Sequence, residues 1–171
     1  MRRMRILFVC TGNICRSPTA HAVMRTLVER HGLASQVDVD SAGFEDWHVG
    51  EPPDARSRAH ARRRGYDLDG LRARQIVVAD FERFDLVVAL DEGQVERARA
   101  LCPPELHHRI RRMAAYCGLP DGEGVPDPYD GSEADFKRVL DLVEAGCRQL
   151  IAEAGADVHR RGARVRMGQK R

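Results

Sequence analysis

The residues with the clearest chemical potential form one octet near the N-terminus, Cys10-Thr11-Gly12-Asn13-Ile14-Cys15-Arg16-Ser17. A cysteine becomes a nucleophile as its thiolate, and a loop that opens onto a helix N-terminus favours that form with backbone N–H groups and the positive end of the helix dipole. Thr11 to Arg16 can curl so that successive N–H groups point inward and make a nest for a dianionic phosphate. Arg16 adds a planar fork that grips two phosphate oxygens and neutralises charge as a phosphoryl group transfers. Ser17 can donate a hydrogen bond toward the Cys10 thiolate. Asn13 suits a strained loop because Asn tolerates the left-handed region. A Walker A loop would instead need Gly-Lys-Ser/Thr and Mg²⁺. The Cys and Arg spacing is weak by itself, since a chain with five cysteines and this much Arg yields about one such match by chance. A buried strand-end cysteine beside a capping serine would explain Cys10 and Ser17, but not Gly12, Asn13 and Arg16.

The octet therefore needs elements that place it. Arg5 to Cys10 reads as a buried strand, and Ser17-Pro18 as the N-cap and first position of a helix to about His31, closed by Gly32. Val37 to Ala42 alternates like a second strand, and Gly43 to Pro53 is a Gly- and Pro-rich loop. A helix follows over about 54–64. Phe84 to Leu90 is a third strand, leading into a helix over 92–101, and a weakly patterned fourth strand lies around 108–113. The loop from about Cys117 to Gly131 precedes a last helix that Ser132 caps and that ends near Ala154. Strands alternating with helices predict an α/β fold, a parallel sheet with helices on both faces and right-handed crossovers. Ligands in such sheets sit beyond the carboxyl ends of the strands, where the Cys10, Trp47 and Leu90-Asp91 segments all fall.

The 171 residues are 43% hydrophobic and 32% charged, enough for one globular domain and too apolar for disorder. No apolar run approaches the roughly 18 residues that cross a bilayer, and the short stretch after Arg5 is no signal segment, so a cytoplasmic location is expected. The net charge of +2 divides unevenly: residues 159–171 hold six positive charges and no acid, against 22 basic and 26 acidic groups in residues 1–158. The chain is thus expected to be a domain over 1–158 and a basic, flexible tail over 159–171, with no nucleic-acid footprint on the body. Five cysteines (Cys10, Cys15, Cys102, Cys117 and Cys147) suit neither a disulfide scaffold nor a metal site, and no metal or cofactor is expected.

With these residues in place, Val9 to Pro18, VCTGNICRSP, closely resembles the active-site signature of the low-molecular-weight protein tyrosine phosphatase family, and the resemblance extends to about residue 155. It implies a flavodoxin-like fold with a central four-stranded parallel sheet. It also implies phosphotyrosine hydrolysis through a phosphocysteine intermediate, with Cys10 as nucleophile, Arg16 as phosphate clamp and Thr11, Gly12, Asn13, Ile14, Cys15 and Ser17 as the rest of the phosphate loop. Val125-Pro126-Asp127-Pro128-Tyr129 matches the family's Asp-Pro-Tyr motif, which makes Asp127 the general acid and then the base. Expelling a phenolate, whose conjugate acid has a pKa of about 10, needs such a proton. Trp47 and Tyr129 would wall a slot deep enough to select phosphotyrosine over shorter phosphoamino acids, with His48 at its rim.

Three positions depart from the family pattern. The histidine of a His-x-Ala-Arg-Gln segment is here Leu71, leaving Asn13, Ser17 and Ser41 to brace the loop. A second aromatic after the acid is Asp130, and the family's Asp-x-x-Asn reads Asp91-Glu92-Gly93-Gln94. Cys15 is expected to form a reversible disulfide with an oxidised Cys10. The expected partners are tyrosine-phosphorylated proteins, met by a monomer or weak dimer. Among other readings, an arsenate reductase would need cysteines just after the third strand, where residues 90–98 have none. A protein-arginine phosphatase would carry Thr in place of Ile14 and lack Trp47. A silent phosphotyrosine-binding module would not require Cys10, Arg16 and Asp127 together.

Overall fold

The computed structural model describes residues 2–169. Its centre is β1 (Met4–Cys10), whose residues from Ile6 to Val9 are fully buried because both faces of the strand are covered. Strand β2 (Val37–Gly43) pairs parallel on one side of β1, and β3 (Leu86–Ala89) on the other, followed by β4 (Ile110–Arg112). The resulting order, β2-β1-β3-β4, is a four-stranded all-parallel sheet of the flavodoxin-like kind expected. Alternation along β1 divides the core. Ile6, Phe8 and Cys10 face one apolar layer, and Leu7 and Val9 face the other.

Helices α1 (Arg16–Arg30), α2 (Ala55–Arg63), α4 (Glu92–Leu101) and α6 (Glu133–Gly168) and the short α3 (Asp80–Arg83) and α5 (Met113–Cys117) complete the layers. The first layer holds Val23 and Met24 of α1 and the α6 stripe of Val139, Val143, Cys147 and Leu150, spaced to keep one helix face inward. The second holds Phe81, Val95 and Ala98. The chain leaves β1 toward β2 and returns across it to β3. This reversal opens a crevice at the carboxyl ends of β1 and β3, the place where ligands bind in such sheets.

Several boundaries differ from expectation. Helix α1 begins at Arg16 with Cys15 as N-cap, and Ser17 is not the cap because its hydroxyl turns inward to Cys10 and Asn13. The third strand is shorter than expected, since Asp80 accepts from the Val77 N–H and organises the turn of α3 just before it. A 3₁₀ segment over Pro104–Arg109 and helix α5 were not legible. The largest correction concerns the basic tail. The last helix was expected to end near Ala154, and Gly155 and Gly162 each cost about 1 kcal/mol in a helix interior. Helix α6 nevertheless runs to Gly168: Val158 is buried against the core, and Asp157 pairs with Arg160 and Arg161 one turn on. The tail is thus helical over 159–168, while Lys170 and Arg171 lie outside the described residues. No helix among the described residues is long and apolar enough to cross a membrane.

Candidate active site

Cys10 ends β1 and Arg16 begins α1, so the loop between them sits in the crevice by construction. Its conformation is set from both sides. Asn13 takes φ 58°, in the left-handed region. Its amide nitrogen donates to Ser17 Oγ at 2.7 Å and its carbonyl oxygen accepts from the Arg74 N–H at 3.0 Å. Ser17 Oγ lies 2.9 Å from Cys10 Sγ and 3.4 Å from the Ala42 carbonyl. Because Asn13 already donates to that oxygen, the serine's own hydrogen is free to turn to the nearer acceptor, the sulfur. Strand β2 presses from below. The Phe44 and Glu45 N–H groups donate to the Cys10 and Thr11 carbonyls, and a Cβ on Gly43 would stand 2.8 Å from the Thr11 oxygen. The loop's outward carbonyls are thereby held. Among the described residues, no backbone acceptor takes the N–H groups of Gly12, Asn13, Ile14 or Cys15. Four adjacent free donors at a helix N-terminus form an anion cradle.

Arg16 is only 3% exposed, yet it is fully engaged. Nη1 donates to Asp91 Oδ2 at 2.5 Å and to the Val125 carbonyl at 3.1 Å. Nη2 lies 3.4 Å from Thr11 Oγ1 and 3.8 Å from Asp127 Oδ2. Burial opposes its charge, but Cys10, Asp91 and Asp127 outweigh burial and push its pKa up. Cys15 contrasts with its neighbour in the loop. It is packed with Ile14, Ala73 and Phe136, and burial pushes its thiol up to about 12 against the opposing hydrogen bond from Ser57, so it stays protonated at neutral pH.

A cleft of about 240 Å³ opens over this loop and brings together Cys10, Arg16, Trp47, His48, Asp127 and Tyr129. Trp47 is 65% exposed and Tyr129 48%, so two aromatic surfaces are offered to a ligand rather than to the core. Arg56 fixes Tyr129, with its guanidinium 5.7 Å from the ring centroid and 2.9 Å from the tyrosine carbonyl, while Asp54 anchors the arginine. The Asp127 carboxylate is half exposed and accepts from the Tyr129 N–H at 3.1 Å. His48 lies over Gly12 and its Nδ1 is 2.7 Å from Glu51 Oε2.

Ser41, expected in the loop brace, is placed elsewhere: its hydroxyl meets His21 Nδ1 at 3.1 Å, and the brace consists of Asn13, Ser17 and the Arg74 backbone. His21 is buried between α1 and β2, and burial lowers its pKa to about 4, against a pull upward from Asp40. Leu71, expected to leave the brace without a histidine, packs on the core. Asp91, Arg74 and Glu51 were not singled out from sequence as site residues. The sequence did place Asp91 at the carboxyl end of the third strand, where such a sheet places ligand-handling groups, but gave it no role. No cluster of three metal-ligating side chains occurs among the described residues.

The family model of the low molecular weight phosphotyrosine protein phosphatases matches residues 5–160 of the chain. A low molecular weight protein-tyrosine-phosphatase of Streptomyces coelicolor is 44% identical over 162 residues, covering 93% of this chain and 98% of the relative. Among solved structures, a protein tyrosine phosphatase of Entamoeba histolytica with Hepes in its active site has a TM-score of 0.86 at 38% identity, over 90% of this chain and 98% of that one. A Drosophila arginine phosphatase aligns with a TM-score of 0.79 at 30% identity, over 88% of this chain and 97% of that one.

Proposed function

Because the chain belongs to the low molecular weight phosphotyrosine protein phosphatase family, and is therefore a phosphoric monoester hydrolase, we propose that it acts on phosphotyrosine in proteins by a two-step transfer through Cys10. The substrate phosphate enters the cradle of free N–H groups with the guanidinium of Arg16 beside it. The thiolate of Cys10 attacks phosphorus. An S–P bond forms as the bond from phosphorus to the tyrosine oxygen breaks, and Asp127 gives its proton to that departing oxygen. The Asp127 carboxylate then takes a proton from water, whose oxygen attacks the phosphocysteine. The S–P bond breaks, phosphate leaves and the thiolate returns. Ser17 stabilises the thiolate whenever it is the leaving or waiting group, across the 2.9 Å contact.

The observation that carries this reading is the convergence of a nearly buried arginine, unpaired loop N–H groups, a cysteine and a half-exposed aspartate on one cleft. Trp47 and Tyr129 supply the aromatic walls for a phosphotyrosine ring, and His48 the rim. The basic segment 159–171 lies outside this reaction. The same reading takes the enzyme as a monomer or weak dimer of the cytoplasm, where the five free thiols would stay reduced.

The test is a parallel assay of phosphotyrosine, phosphoarginine and phosphoserine peptides of one sequence. Phosphotyrosine turnover well above the other two is the expected result. A preference for phosphoarginine would move the chain to the arginine-phosphatase reading, toward which Ile14 and Trp47 do not point.

A further inference from the structure

One feature beside the cleft has no part in the steps above: the side chain of Gln94, in the first turn of α4, is 5% exposed, and its buried Oε1 has no hydrogen-bond partner. Natural interiors rarely tolerate such an atom without a return. Around it runs a closed circuit of hydrogen bonds. Arg16 Nη1 donates to Asp91 Oδ2 at 2.5 Å, the Gln94 backbone N–H donates to Asp91 Oδ1 at 2.9 Å, Gln94 Nε2 donates to Thr11 Oγ1 at 2.7 Å, and Arg16 Nη2 reaches the same oxygen at 3.4 Å. Both terminal nitrogens of the arginine are thus tied, through different atoms, to one turn of one helix.

We propose that Gln94 is a positioning residue for the phosphatase reaction, acting through Thr11 to fix the plane of the Arg16 guanidinium before substrate arrives. The inference rests on the phosphatase reading above. Asp91 and the Val125 carbonyl both hold Nη1, and neither of them holds Nη2. The Thr11 hydroxyl supplies the second point, and it can do so only if its own rotor is set, which is what the Gln94 amide at 2.7 Å achieves. A planar donor pre-set to the transition state's equatorial oxygens does not have to be ordered during the reaction. The circuit also runs through the N-cap of α4, so the orientation is referred to the sheet rather than to the loop.

The test compares Gln94→Leu, Thr11→Val, Thr11→Ser and the double variant Gln94→Leu/Thr11→Val with the wild-type chain, using p-nitrophenyl phosphate, orthovanadate as a transition-state mimic and inorganic phosphate as product. Gln94→Leu is expected to lower kcat about tenfold, the rate equivalent of roughly one neutral hydrogen bond, and to weaken vanadate inhibition by a similar factor. Phosphate inhibition is expected to change about threefold or less, because positioning for the transition state weighs little on product binding. The unfolding midpoint should stay level or rise, since the substitution also removes an unpaired buried oxygen. Thr11→Val should match Gln94→Leu, Thr11→Ser should be faster than Thr11→Val, and the double variant should be no slower than the slower single one. A Gln94→Leu enzyme with wild-type kcat and vanadate affinity overturns the inference and leaves the phosphatase reading standing, as does strict additivity in the double variant. A folded wild-type chain without turnover removes the phosphatase reading and this inference with it.

Discussion

Gly43 offers the sharpest test of how the sheet shapes the phosphate loop. It ends β2 opposite Cys10, and its backbone is not in the left-handed region, so substituting Ala perturbs space rather than conformation. The added Cβ would lie 2.8 Å from the Thr11 oxygen, 2.9 Å from the Asn13 nitrogen and 3.0 Å from the Gly12 carbonyl carbon. All three are loop backbone, and the Cys10 and Thr11 carbonyls are held by N–H groups of Phe44 and Glu45, so no flexible side chain can absorb the clash. The loop must rise by roughly half an ångström to reach ordinary contact, with an overpacking cost of about 1–3 kcal/mol. For a chain of this size that lowers Tm by about 2–4 °C for each kcal/mol. A misplacement of about 1 Å costs on the order of 100-fold in rate, so a shift half as large should cost on the order of tenfold in kcat. Steady-state kinetics on p-nitrophenyl phosphate and thermal unfolding of Gly43→Ala measure both. A variant with wild-type kcat and Tm would refute the claim that β2 sets the loop. A lower Tm with unchanged kcat would show that something other than the loop had yielded.

The acid role gives Asp127→Ala a signature: the loss in kcat should be far greater with phenyl phosphate than with p-nitrophenyl phosphate, whose leaving group needs little protonation, and equal losses would remove Asp127 from that role. Peroxide is expected to convert Cys10 to the sulfenic acid, from which the Cys15 sulfur displaces the hydroxyl as water and closes a disulfide. Because the Cys15 thiol is pushed up to about 12, closure should speed up as pH rises, and dithiothreitol should restore the wild type but not Cys15→Ser. Equal recovery of both would reject that protection. His21 sets a pH limit on stability. Its pKa is about 4 in the fold against an ordinary 6.5, so between those values the unfolded chain binds more protons and stability rises with pH. Its contribution, on the order of a few kcal/mol, is complete above about pH 6.5 and lost as pH falls toward 4, with Asp40, Arg25 and Arg74 as the facing charges. Urea midpoints at pH 7 and 5 should fall more for wild type than for His21→Gln, and an equal fall in both would contradict this.

Much of this site was legible because its chemistry is local. Cys10, Asn13, Arg16 and Ser17 lie within one strand-loop-helix unit, where spacing alone sets who can meet whom. Strand β1 was equally plain, as an apolar run buried on both faces. The parts that were not legible depend on distant segments. Asp91, Gln94 and Arg74 reach the loop from 61 to 83 residues away along the chain, and no periodicity announces such a contact. Ser17 misled as a cap because its best partner is the thiol across the loop and not the helix N-terminus. The tail misled in the opposite way. Its basic, Gly-containing sequence without apolar periodicity read as a flexible tail, and one buried valine with one aspartate carried the helix into it.

The central claim is that Cys10 carries the phosphoryl group. Rapid quenching of the Asp127→Ala variant with p-nitrophenyl phosphate, whose leaving group departs with little protonation, followed by peptide mass spectrometry, tests it directly, because that variant should form the intermediate and hydrolyse it slowly. The expected result is one phosphoryl group on the peptide at Cys10, absent from Cys10→Ser. A phosphoryl group on another residue, or turnover by Cys10→Ser at the wild-type rate, would contradict the account.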